Sequence, residues 1–254
     1  MHKIKVLELN KEKNIVKITK DYNIKDLLSY KNVNVVIDGD FLNINNCLFG
    51  KNEKETKMIQ KNNYKQLKLV YKKTIKVIKF LIKNNIKFNN TIYIDVDKKS
   101  NNNDKMLEFM INLRSIKNPM KRLEEQISFT CDYLDSEIKL NNICQFENGK
   151  CLKYRNSGEK TSCCKDNCKY GFPCSIKNIA CKIFMCDMIK SMGYGFYIEY
   201  IFSLKKNLTV IDRAICKTCL FVPLKKVLRI FLVERIMVCI ATIIVLLSIL
   251  INFV

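Results

Sequence analysis

The chain has 254 residues, 48% of them hydrophobic, and a formal net charge of +21. That is enough apolar material for one large or two small cores, which excludes a disordered polar tail. The charge comes from 39 Lys against only 6 Arg and travels with 28 Asn, as AT-rich coding sequence produces. Arg makes the bidentate contacts to guanine and phosphate, so its scarcity argues against a sequence-specific nucleic-acid reader and leaves only non-specific phosphate attraction.

The opening stretch "MHKIKVLELNKEKNIVKI" has no uninterrupted apolar run, hence no secretory signal. Alternation over Ile4 to Leu9 and Ile15 to Ile18 predicts a β-hairpin, and "VNVVIDGDFLNI" a further strand ending near Asp38-Gly39. From Tyr64 to Asn85, helical spacing puts Leu67, Val70, Tyr71, Thr74, Ile75, Ile78, Leu81 and Ile82 on one side. Lys65, Lys68, Lys72, Lys76, Lys79 and Lys83 share another. "TIYIDV" reads as a short strand, "DKMLEFMINLRSI" as a helix stopped before Pro119, and the residues from Pro119 onward as a new helix with Pro near its first turn. Strands alternating with helices predict an α/β region of about 140 residues.

At Asn141 the character changes. The array Cys151, Cys163, Cys164, Cys168, Cys174, Cys181 and Cys186 is followed thirty residues later by Cys216-Lys-Thr-Cys219, among turns at Gly149, Gly158, Gly171 and Pro173. Soft thiolates suit zinc or iron–sulfur clusters, and Cys164/Cys168 and Cys216/Cys219 have knuckle spacing. The single histidine is His2, so a site here is all-sulfur or borrows a carboxylate. That also removes Ser/His and Cys/His hydrolases. Disulfides are the rival reading, and Cys47, Cys131 and Cys239 read as small buried apolar residues. The runs "CQFENGKCLKYR", "CC" and "CSIKNIACKIFMCDMIK" resemble a group of uncharacterised cysteine-rich proteins from AT-rich bacteria over residues 144–221. The resemblance implies only that these cysteines form one unit.

A second constellation is acidic. Asp38 and Asp40 follow "NVVI", and Asp95 and Asp97 punctuate "TIYIDVD". If the two strands are parallel neighbours, four carboxylates gather where open α/β sheets place ligands. "VVIDGDFLN" is similar to the first strand of PIN-type or NYN-type nucleases, which implies carboxylates holding divalent metal for phosphodiester hydrolysis. The competing reading makes Asp38-Gly39 a tight hairpin turn with exposed carboxylates. "GYGFYIEY" carries aromatics able to stack on bases, a pattern that a packed face also produces.

Ile236 to Val254 is 19 residues without a charge, long enough to cross a bilayer as a helix. Lys225, Lys226, Arg229 and Arg235 precede it, so the positive-inside rule predicts a single-pass, tail-anchored protein of the cell membrane with its bulk in the cytoplasm. Leu224, Val227, Leu228, Phe231 and Leu232 share a face suited to an anionic membrane surface; a buried helix of the globular body is the alternative.

The expected fold is thus a mixed α+β or α/β domain (1–140), a small irregular cysteine-rich metal-organised module (141–221), a basic juxtamembrane helix (222–235) and a transmembrane helix (236–254). The leading function is non-enzymatic: a membrane-anchored module binding zinc or an iron–sulfur centre for structure or sensing. The alternatives are a metal-dependent nuclease or phosphoesterase using Asp38, Asp40, Asp95 and Asp97, and a thiol redox protein acting through Cys216 and Cys219. A protein partner is not readable from the sequence.

Overall fold

The structure, a computed structural model, describes residues 15–18, 24–29, 31–37, 48–88, 93–94, 102–145, 147–148, 151–158, 177–218, 222 and 224–252. The fold is mostly helical with a small sheet. Its elements are β1 (Ile15–Ile18), β2 (Asn32–Ile37), α1 (Glu53–Lys83), β3 (Lys87–Phe88), β4 (Tyr93–Ile94), α2 (Asn102–Asn112), α3 (Pro119–Leu140), α4 (Leu152–Ser157), α5 (Ile179–Ile183), α6 (Asp187–Ser191), α7 (Phe202–Asn207), α8 (Val210–Thr218) and α9 (Leu224–Asn252). They form two compact units: Met1–Ser115 with Lys190–Ser203, and Ile116–Ile189 with Leu204–Val254. The divisions fall at Ile116, within α6 and within α7, and within the second unit α3 packs against α5 and α9.

In the first unit every strand pairing is parallel. β1 lies along β2 with Ile15 opposite Asn34 and Ile18 opposite Ile37. The other edge of β2 carries β3 at its start, Val33 opposite Phe88, and β4 at its end, Ile37 opposite Ile94. Parallel neighbours need a crossover, and α1 is the helix between β2 and β3. The Ile15–Ile18 strand is present; its expected hairpin partner, Ile4 to Leu9, lies outside the described residues.

α1 begins eleven residues before the expected Tyr64, at a cap the apolar spacing does not show. The Asn52 side chain accepts from Glu55 N at 2.9 Å while Lys51 N donates to Glu55 Oε2 at 2.7 Å. This is a capping-box arrangement, with Glu53 and Glu55 also favoured by the helix dipole. The predicted apolar face is buried at Leu67, Val70, Tyr71, Thr74, Ile75 and Leu81, whereas Ile78 is half-buried and Ile82 exposed; Tyr64 and Val77 complete it. The six lysines named above are all exposed.

Residues 190–203 dock on this helix. Thr56 Oγ1 donates to Gly193 O at 2.9 Å, Gln60 Nε2 to Gly195 O at 2.7 Å, and Tyr197 N to Gln60 Oε1 at 3.0 Å. Phe49 meets Tyr194 and Phe196 edge-on, and Phe202 packs against Tyr64 and Tyr71. The aromatics of "GYGFYIEY" are therefore largely used in packing within this unit.

The second unit is built on α3, whose Asn118 side chain caps Met120 N and Lys121 N ahead of Pro119. α3 ends as α1 does. Ile86 N bonds Leu81 O and Asn85 N bonds Ile82 O; likewise Ile143 N bonds Ile138 O and Asn142 N bonds Lys139 O. Asn85 and Asn142 sit at φ 54° and 44°. Each is a Schellman closure with Asn in the left-handed position and an apolar residue folding back. The stretch after Gly193 forms a short 3-10 turn at Ile198–Tyr200, then α7 and α8.

α9 runs unbroken through both expected C-terminal segments. Val227 and Phe231 are buried within the second unit, and from Ile236 to Ile249 the side chains are exposed and mostly apolar. The face read as membrane-seeking is thus partly occupied by core packing. The most apolar 18-residue stretch within Leu224–Ile249 has a mean hydropathy of 2.6, and only 6% of it is buried. The helix is long and apolar enough to span a membrane.

Candidate functional site

Two constellations named by the sequence meet the structure differently. The acidic one depends on strand adjacency. β2 and β4 are parallel neighbours and end together, Ile37 opposite Ile94. Both strands therefore run to the same end of the sheet; in sequence they are followed by Asp38 and Asp95. These two, with Asp40 and Asp97, lie outside the described residues. On β2, Val33 and Val35 are buried. The exposed Lys face of α1 belongs to the same unit and supplies a positive field that attracts phosphate.

The thiol constellation is less gathered. Cys151, Cys186 and Cys216 are buried and Cys181 half-buried, all in the second unit. Cys163, Cys164, Cys168, Cys174 and Cys219 lie outside the described residues. Among the described residues no three His, Cys, Asp or Glu side chains form a group able to hold a metal ion. Cys181 on α5 and Cys216 on α8 are nevertheless carried by helices that pack on each other. Cys216 lies near the C-terminal end of α8, the wrong end of a helix dipole for stabilising a thiolate. Of the cysteines read as packing residues, Cys131 is buried, Cys239 is exposed on α9 and Cys47 lies outside the described residues.

Sequence reasoning missed a buried ion pair. Lys182 Nζ lies 2.6 Å from Asp135 Oδ2, with side chains 3% and 11% exposed. Asp135 Oδ1 has no hydrogen-bond partner among the described residues. Burial raises the Asp135 carboxyl above its ordinary 3.8, while the hydrogen bond and charge of Lys182 oppose the shift. One turn earlier on α3, burial pushes the Cys131 thiol up to about 12, leaving it an inert packing group. The only available signal was the i, i+4 spacing of Cys131 and Asp135 on a predicted helix; nothing in "IACKIF" marks Lys182 as their neighbour.

A second missed pair joins α8 to α9. Thr209 and Asp212 cap α8 reciprocally, Thr209 N donating to Asp212 Oδ2 at 2.9 Å and Asp212 N to Thr209 Oγ1 at 3.0 Å. The fully buried Asp212 also lies 3.6 Å from Arg235 Nη2. Arg235 is the last residue before the uncharged run.

Comparison with protein-family models, with curated proteins and with solved structures returned no match.

Proposed function

We propose that the chain is a membrane-anchored, divalent-metal-dependent phosphodiester hydrolase. The observation that carries this reading is the parallel pairing of β2 with β4, ending at Ile37 and Ile94. It supplies the adjacency on which the Asp38, Asp40, Asp95 and Asp97 cluster depends. Those carboxylates would hold Mg²⁺ or Mn²⁺, which when bound polarises a phosphoryl oxygen and activates water. Lys65, Lys68, Lys72 and Lys76 attract the phosphate backbone. α9 is the anchor, and Lys225, Lys226, Arg229 and Arg235 before it favour a cytoplasmic catalytic unit at the cell membrane. The test is Mg²⁺- or Mn²⁺-dependent cleavage of RNA or DNA by the purified full chain, lost in Asp38→Asn. No cleavage of either substrate would retire the reading.

A second reading assigns zinc or an iron–sulfur cluster to the cysteines, with a structural or sensing role. It is favoured by the confinement of Cys151, Cys181, Cys186 and Cys216 to one unit, with α5 packed on α8. The resemblance over residues 144–221 treats these cysteines as a unit as well. Metal analysis of anaerobically purified protein tests it: stoichiometric zinc or iron supports it, and a metal-free, fully folded product rejects it.

A further inference from the structure

The reading of α9 as a membrane anchor says nothing of how the second unit meets the lipid. α8 begins with two exposed apolar side chains, Val210 at 74% and Ile211 at 50%. Exposed aliphatic residues at a helix start are ordinary when isolated, so position decides. The next residue, Asp212, is buried and 3.6 Å from Arg235, and Arg235 immediately precedes Ile236, where the uncharged run begins. The pair ties the start of α8 to the point on α9 where the uncharged run begins. Phe231, fully buried one turn earlier on α9, holds that helix within the second unit, so α9 leaves this unit as a packed element.

Basic residues flank the same turn in sequence. Lys205 and Lys206 close α7, and Arg213 follows Asp212. Arg213 also donates to Leu208 O at 2.7 Å, which pins the connection between α7 and α8. Two aliphatic side chains flanked by basic residues, at the depth of a helix entering the bilayer, match the composition of segments that insert shallowly among lipid headgroups.

We propose that Val210 and Ile211 form a second membrane contact, inserted at the headgroup boundary of an anionic bilayer, with Lys205, Lys206 and Arg213 against lipid phosphates. The proposal rests on α9 spanning the membrane, and its occupant is lipid, reached by continuity from the anchor. The contact gives the second unit a fixed orientation on the membrane.

The chain contains no tryptophan, so a single introduced one reports its own surroundings. Full-length Ile211→Trp, with Val210→Trp as a second probe, is reconstituted into phosphatidylcholine–phosphatidylserine vesicles with and without brominated acyl chains. Leu247→Trp on α9 reports the anchor separately. The proposal expects blue-shifted emission at 211 or 210, quenched by brominated lipid, together with quenching at 247. Quenching at 247 with red, unquenched emission at 210 and 211 overturns the proposal and leaves the anchor standing. Blue-shifted but unquenched emission at 210 and 211 means that protein covers the turn, and overturns it as well. No quenching at any position overturns both the anchor and the proposal.

Discussion

Ile37 of β2 stands opposite Ile94 of β4 in a parallel pair. The residues are 57 apart in sequence, and the helix between them, α1, is long enough to return the chain to the same end of the sheet. The proposed metal site rests on this single register, since two short acidic motifs that are individually uninformative follow these strands in sequence. It also sets the scale of what is testable, because each supporting element has its own point of failure.

Gly193 is one such point. Its φ is +85°, and a Cβ there would lie 2.5 Å from Asn52 Cα, a backbone atom at the α1 cap. Gly158, at φ +68°, has open space around a Cβ. Gly158→Ala should therefore cost about 1 kcal/mol through backbone conformation alone. Gly193→Ala should cost clearly more, because the cap must move. Denaturant midpoints of the two variants check the order.

The Asp135–Lys182 pair predicts a different response. Lys182→Met strands a buried carboxylate and should destabilise by about 3–5 kcal/mol. The double replacement Lys182→Met with Asp135→Leu should recover most of that loss, since no buried charge remains. A double-mutant cycle on unfolding free energy reads the coupling; additive losses would show the pair to be energetically independent.

The same site has a pH signature. The Asp135 carboxyl is harder to ionise folded than unfolded, chiefly through burial. The folded state then holds its proton to higher pH than the unfolded chain does. Its contribution to stability is greatest below the unfolded value of 3.8 and falls as pH rises from there through the raised folded value. Relative to Asp135→Asn, the native chain should thus lose stability on titrating upward across that window and stay level above it. Unfolding free energies of both proteins from pH 3 to 7 check this; a native chain that gains stability over the window would contradict it.

Much of this framework was readable in the sequence, for identifiable reasons. α3 was legible because Asn118-Pro119 combines a cap with a fixed φ, and most of the buried face of α1 because its apolar residues recur at helical spacing. The first turns of α1 were not, since Asn52 to Asn62 is polar and is held by a cap and by the residues 190–203 docked on it. That docking is non-local, as is the meeting of Asp135 with Lys182; spacing along the chain carries no information about either. Of the expected strand only Tyr93–Ile94 is described, as β4; its strand propensity was visible while its parallel neighbour was only a condition. The cysteine array was conspicuous in composition, yet its described members are spread over α5, α8 and the segment ends around α4 and α6, which spacing did not foretell.

Membrane insertion of α9 is tested by charge. Ile240 and Ile244 lie within the exposed apolar run, and an Arg near the bilayer centre costs about 2.5–3.5 kcal/mol on an insertion scale. The Ile240→Arg with Ile244→Arg double variant should move the full chain from the carbonate-resistant membrane fraction to the supernatant. A native chain itself released by carbonate would refute the anchor.

The central claim is that strand pairing makes one metal site from acids far apart in sequence, and Mn²⁺ binding to the full chain measures it most directly. The account predicts that Asp38→Asn and Asp95→Asn each weaken binding by roughly ten-fold or more, and that the double variant is little worse than either, because both remove ligands of one site. Unchanged Mn²⁺ affinity in Asp95→Asn, or no Mn²⁺ binding by the native chain, would contradict it.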